Sequence, residues 1–552
     1  MLNLNLNHSF VLGALLFAFG LTPLSAAQLP VTERISVSQT GGDSNGASYP
    51  GAISADGNLV LFYSEASNLV AGDNNSLHDV FLRDRKAQTT HWISQTAAGL
   101  NANGSNRRPA MTPDGRFVCF ESNATNLSPG TSNLYYDILL FDRQNGTMEL
   151  ISANLSGQDG DHNSASPSIS DDGRFVLFQS FAEDLVPNDN NWTSDVFLRD
   201  RALGTTTRIS VDPQGLELNK GSYLSPTVAP VYLTGGSRIS GDGQSLVFWS
   251  DSDQLVANDF NNKFDVFLHD RLAGTTERVS ETVSGEGANL GARYPTISRD
   301  GTKVFFLSNS TNLGHDITGD QLFSWERATG LFQLGSVGSD GQISQTDVEM
   351  AAAAADGLSV AFQSYDPNLI KSHRSYSSLG QIFGHDFPTG VTRILSVNSN
   401  GKPHEENSTP FETIRLSETG RYLAFASRDN LVPDDHNGRE DVYVHDLANR
   451  GAVLELNPLI AGQDTRLTVE GATPGGDLLI AFSQNGQGPI PTQFGLLNVG
   501  LPLGMLTFTA DASGGVDQFL SLPSGFHGAS LWVQGIDLAT AYPTTIFHGK
   551  VQ

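Results

Sequence analysis

One unit recurs seven times along this chain, and few folds can hold it. Its clearest copy spans residues 164–210 and reads as four short strands. Ser166–Ser170 leads into Asp172-Gly173, a turn dipeptide that tolerates positive φ and closes a tight hairpin. Arg174–Ser180 follows, rich in Phe, Val and Leu. A polar loop comes next, then Val196–Asp200 and Thr205–Ser210. Val196-Phe197-Leu198 is a continuous apolar run, as expected of a strand covered on both faces. The turn glycine returns at Gly57, Gly115, Gly173, Gly243, Gly301, Gly357 and Gly420. The third strand returns as Asp79–Leu82, Asp195–Leu198, Asp265–Leu268 and Asp441–Val444, with Asp137–Leu140 a close relative. Gln321-Leu322-Phe323 and Gln381-Ile382-Phe383 are worn copies.

A four-stranded unit repeated at a fixed period must stack on its neighbours to cover its faces. Radial stacking gives a β-propeller, and seven units lie in the usual range of blades. A linear β-solenoid is the alternative, but its repeats are normally much shorter. The copies SYPGAISADGNLVLFYS (48–64), SPSISDDGRFVLFQS (166–180) and YPTISRDGTKVFFLS (294–308), each followed by a third strand, resemble the WD-like propeller repeat of the TolB type. The resemblance implies the fold and says little of function, since such blades serve binding proteins, scaffolds and enzyme accessory domains alike. The separate N-terminal domain of TolB has no counterpart here, so TolB's own partners do not carry over.

Thr32–Ser38 matches the fourth strand of a repeat but has no blade ahead of it. Repeat seven runs through Asp441–Asp446 and then breaks off. Residues 32–38 are therefore expected to supply the outer strand of the last blade, closing the ring and removing an exposed edge. Residues 211–236 read as an inserted loop between blades three and four. Met350–Ala355 is Ala-rich but fills a first-strand slot, so it is read as strand. From Leu454 the repeat is gone. Alternating runs at 465–469, 478–482, 505–509 and 530–534, separated by turns such as Gly471–Gly476, suggest a small β-sandwich. The expected class is all-β: a seven-bladed propeller over 28–453, then a sandwich over 454–552.

Residues 1–27 have the plan of a secretory signal, with an apolar run at Phe10–Leu21 and small residues at Ser25-Ala26-Ala27. That run is too short to span a bilayer, and no later one is longer. The n-region lacks Lys and Arg. An exported protein, periplasmic or extracellular, is the expectation. The net charge of −27 repels phosphate backbones and argues against a nucleic-acid partner. Cys119, the single cysteine, lies in a core strand and is read as a small buried hydrophobe.

Candidate chemistry gathers on one face. The loop between strands two and three and the loop between blades emerge opposite the Asp-Gly turn, and both are rich in Asp and Asn. Four within-blade loops carry D-x-N-x-x-x-D: Asp73/Asn75/Asp79, Asp189/Asn191/Asp195, Asp259/Asn261/Asp265 and Asp435/Asn437/Asp441. Alternating oxygens of this kind are candidate calcium ligands. A calcium loop, however, wants glycine at position six and a closing Glu, and these have neither. Turn capping through backbone N–H groups fits the residue types better. No cofactor is otherwise implied. Trp192 and the Tyr135-Tyr136 pair stand in the acidic loops as candidate contacts for a protein or glycan. Trp249, Trp325 and Trp532 sit in strand patterns and read as packing residues. His269, His385 and His445 take the position of Arg83 and Arg199 and read as exchangeable surface residues. Gly42-Asp43-Ser44-Asn45-Gly46 lies in a polar loop, which is not the strand–helix setting of a nucleophile elbow. Two functions follow from these residues. One is an exported, non-catalytic binding or scaffold protein using the loop face. The other is a polymer-acting hydrolase or lyase with carboxylates, alone or with calcium, at the ring axis; an acidic cleft with clustered aromatics along the axis would support it. The oligomeric state is not legible.

Overall fold

A computed structural model describes residues 2–3, 32–224, 237–370, 380–388, 390–397 and 413–447, and beyond these the strand backbones between 453 and 550. Seven four-stranded antiparallel sheets follow one another, each ordered from the innermost strand outward. Blade three, Ser164–Ile169, Phe175–Ser180, Asp195–Asp200 and Thr205–Arg208, is the type. These seven sheets form a seven-bladed β-propeller. Blade seven consists of Ile414–Leu416, Tyr422–Ser427 and Asp441–Asp446, and its outer strand is Thr32–Arg34, with Glu33 opposite Val444.

Packing explains why the middle strands are apolar throughout. The core is a set of clusters between neighbouring blades. One of these joins Val60, Phe62 and Phe81 of blade one to Ala424, Val442 and Val444 of blade seven and Ile35. Within blades the second and third strands place two rings side by side. Phe178 and Phe197 lie 5.8 Å apart, and the same pair recurs as Phe62–Phe81 and Phe362–Phe383. Two demands fix the turn glycine. Gly173 has φ +70°, and a Cβ there would lie 2.2 Å from Phe117 of the preceding blade. Gly57 meets Tyr422 of blade seven in the same way. The first blade is thus stacked on the last.

The insertion differs from its expected place. Ser222–Tyr223 already pairs with Ser250 and Trp249 of blade four, and Ile239 bridges Leu246. The extra residues interrupt the innermost strand of blade four; they do not separate two blades. Their remainder, 225–236, lies outside the described residues. Met350–Ala353 is a strand, because its backbone is needed to pair with Val360–Gln363.

The second compact unit comprises residues 446–552 with short segments from elsewhere. It holds a four-stranded sheet, in which Asp464–Glu470 lies between Val453–Asn457 and Val516–Ser521, and Leu2–Asn3 pairs with the latter. A second sheet places Asp477–Ser483 between Gly504–Thr509 and Ser530–Asp537. The signal-like run beyond residue 3, the Gly471–Gly476 turn and the Trp532 side chain lie outside the description. Among the described residues no helix is long and apolar enough to cross a membrane.

Candidate functional site

The repeated aspartate before the third strand does the same work in blade after blade. Asp195 Oδ1 accepts the Ser210 hydroxyl at 2.5 Å, and Ser210 Oγ accepts the Val196 N–H at 3.0 Å. The start of strand three is thereby tied to the end of strand four. Asp79 with Ser94, Asp137 with Ser152, Asp265 with Ser280 and Asp441 with Ser36 repeat the lock. The worn blades five and six keep it with a different acceptor: Gln321 Oε1 takes Ser336 at 2.7 Å and Gln381 Oε1 takes Ser396 at 2.5 Å.

The asparagine of D-x-N-x-x-x-D turns the loop. Asn191 Oδ1 accepts the Thr193 N–H, and its Nδ2 donates to Asp195 Oδ2 at 2.9 Å and to the Leu218 carbonyl at 3.1 Å. Asn75, Asn261 and Asn437 repeat this with Asp79, Asp265 and Asp441. The first aspartate faces a guanidinium in three blades. Arg208 lies 2.8 Å from Asp189, Arg278 3.0 Å from Asp259 and Arg34 3.5 Å from Asp435. In blade one Trp92 takes the place of that arginine. These contacts are those of turn capping: each asparagine oxygen accepts a backbone N–H two residues on, and in three of the four loops a guanidinium faces the first aspartate. Thermal unfolding should therefore be the same in excess EDTA and in millimolar calcium; a rise with calcium but not magnesium would restore the metal reading.

Burial leaves its mark on these acids. It pushes Asp189 and Asp137 up to about 7, and Asp73, Asp265 and Asp441 up to about 6, with the neighbouring aspartates adding to the rise. A raised folded-state pKa means that the folded protein holds the proton more tightly. The stability from these groups is full below the ordinary carboxylate pKa and is lost as pH rises through 6–7. His385, pushed down to about 4 by burial, works the other way, losing its contribution as pH falls from 6.5. The carboxylates outnumber such histidines, so Tm should be higher at pH 5.5 than at pH 8. A Tm that rises over that interval would contradict this account of the acids.

Other sequence readings meet the structure as follows. His269, His385 and His445 are interchangeable with Arg83 and Arg199, but all are buried. Each reaches a threonine on the outer strand: His269 to Thr276, His385 to Thr392, His445 to Thr32, Arg83 to Thr90. They are cross-strand partners, not surface residues. Trp249 and Trp325 are buried, as is Cys119. Ser44 is buried too and donates to Asp441.

The exposed aromatics lie on the loop face. Trp192 is 75% exposed and Tyr135 41%. His162, from the loop between blades two and three, sits between them, its ring 5.3 Å from Tyr135 and 6.4 Å from Trp192. Leu134 beside them is 80% exposed, as is Phe260 in the next blade's loop. Tyr136 belongs elsewhere: its ring lies 3.9 Å under the Arg107 guanidinium. Trp192 has φ +56°, at the position held by Ser76, Asn262 and Gly438, all likewise left-handed. A bulky side chain is costly in that conformation. His162 and Phe260 had no signal in the sequence beyond standing in polar loops.

The axis is a cavity of about 190 Å³ lined mainly by small and apolar residues and by arginines. Its acids, Asp171 and Glu418, are both ion-paired to Arg299. The clustered carboxylates and aromatics that a polymer-cleaving axis calls for are not what lines it.

No protein-family model matches the sequence, and no curated protein matches it. Solved structures do. A putative TolB from Agrobacterium tumefaciens is 16% identical, with 56% of this chain and 85% of that one covered at a TM-score of 0.31. The Pyrococcus horikoshii acylaminoacyl peptidase is 11% identical over 78% of this chain and 60% of that one, at 0.42. The WD40 repeats of RRP9 are 10% identical over 76% and 99%, at 0.39. At such identities and TM-scores the likeness says nothing of function, and the propeller is read from the seven sheets themselves.

Proposed function

We propose that this is an exported, non-catalytic binding protein, periplasmic or extracellular, whose propeller engages a protein or glycan through its loop face at blades two and three. Residues 1–27 act as the signal, so the pairing of Leu2–Asn3 belongs to the uncleaved chain, and 454–552 act as a spacer, a second binding module or an attachment domain. The observation that carries the reading is Trp192. It is a large aromatic held out in solvent, in a backbone conformation that disfavours it, with Tyr135 and His162 extending the surface. Stored strain and exposed aromatic surface both mark recognition sites. Aromatic faces suit a sugar ring or an apolar side chain equally. The test is a glycan array and an envelope-protein capture, each run with the wild type and Trp192→Ala. Ligands that the variant loses support the patch. Ligands held equally by both place recognition elsewhere.

A further inference from the structure

Innermost strands run from the loop face to the Asp-Gly turn face, and their register can be compared between blades. Ser54, Ser240 and Ser417, for example, each donate a backbone N–H to the carbonyl five residues on. Two positions earlier, five blades carry a small residue: Ala52, Ala110, Ser168, Thr296 and Ala352. Seven strands converging on one axis leave room for little more. Blades four and seven place Arg238 and Arg415 in that same slot, and both line the axial cavity.

A third guanidinium joins them. Arg108 lies two residues nearer the loop face in its strand, with φ +47°, and also lines the cavity. Its carboxylate partner is shared. Glu121 stands 3.5 Å from Arg108, but it holds Arg107 at 2.9 Å and accepts the Ser166 N–H. Arg415 donates only to the carbonyls of Gly51 and Ile414, and no carboxylate among the described residues is paired with it. At the turn face Arg299 crosses the axis from blade five to Asp171 of blade three and Glu418 of blade seven. It uses up both acids of the lining. Four arginines and two acids thus surround one cavity in a chain whose net charge is −27. Burial and the like charges of Arg415 and Arg108 push Arg238 down to about 9, and burial pushes Arg415 down to about 10. An anion among them would relieve both effects.

The geometry points to an anion site in the central channel, taking a small carboxylate or oxyanion at Arg415, with Arg108 on the loop-face side and Arg299, tied to Asp171 and Glu418, as the floor; Arg238, whose Nε donates to the Leu224 carbonyl, contributes its charge to the lining. Guanidinium forks bind such groups in pairs of parallel hydrogen bonds. The site is independent of the aromatic patch.

Thermal unfolding of the full chain tests it. The probes are inorganic phosphate and sulfate for tetrahedral oxyanions, and succinate and citrate for carboxylates, each against sodium chloride at matched ionic strength. Tm should rise saturably with at least one series, which also identifies the anion class. Arg415→Gln should weaken the apparent affinity at least tenfold. In chloride alone its Tm should match or exceed that of the wild type, because a repelled cation is gone. Arg108→Gln, nearer the loop face, gives a second reading if Arg415→Gln does not fold. No saturable shift with any probe, or an equal shift in wild type and variant, overturns the site.

Discussion

Asp195→Ala is expected to destabilise the folded chain by about 3–5 kcal/mol, among the largest effects of any single aspartate substitution. The carboxylate is buried and takes hydrogen bonds from Ser210 and Asn191, with Arg208 3.7 Å away. Its removal leaves the Ser210 hydroxyl without its acceptor and takes one acceptor each from the Asn191 amide and from Arg208, which keep Leu218 and Asp189, and the Val196 N–H loses the oriented hydroxyl it depends on. Asp195→Gln should recover most of the loss, since blades five and six run the same lock on Gln321 and Gln381. Urea unfolding at neutral pH reads both variants. If Ala and Gln cost the same, the serine lock is not what the aspartate is for.

Trp192→Gly should pull stability and binding in opposite directions. Glycine adopts φ +56° without a Cβ penalty, and Gly438 holds the equivalent position in blade seven. A gain of about 1 kcal/mol in unfolding free energy is expected. Binding should fall by about 2 kcal/mol or more, roughly thirtyfold, as for an exposed aromatic at the centre of a contact. Both numbers come from one variant, by urea unfolding and by titration of a ligand from the screen. A variant that loses stability along with affinity would mean that Trp192 packs against its neighbours and does not serve recognition.

The repeat was legible because its signals are local. A turn dipeptide, an apolar strand and a polar loop succeed one another within each unit, and ring closure followed from the orphan strand at Thr32. The cost of Trp192 was not legible, since the D-x-N-x-x-x-D pattern marks no left-handed position. Tyr135 and Tyr136 are adjacent in sequence but part company in space, because Arg107 on the innermost strand takes only the second. His162 belongs to a different loop and meets Tyr135 only when blades two and three stack. The axial arginines were hidden for another reason. An insertion inside its innermost strand shifts Arg238 out of alignment with Ser168, and Arg415 aligns with small residues only when counted back from Ser417. The worn third strands misled in the other direction. Gln321 and Gln381 look like decay of the aspartate, yet they keep its acceptor oxygen.

Site-specific photocrosslinking in the native compartment tests the loop-face reading most directly. A photoreactive residue replaces Trp192 in one chain. In another it replaces Leu203, which is 70% exposed on the turn between strands three and four, at the opposite face. Adducts with a protein or glycan at 192 that are absent at 203, and competed by wild-type chain, are the predicted result. Adducts at 203 alone, or at both positions equally, would contradict it.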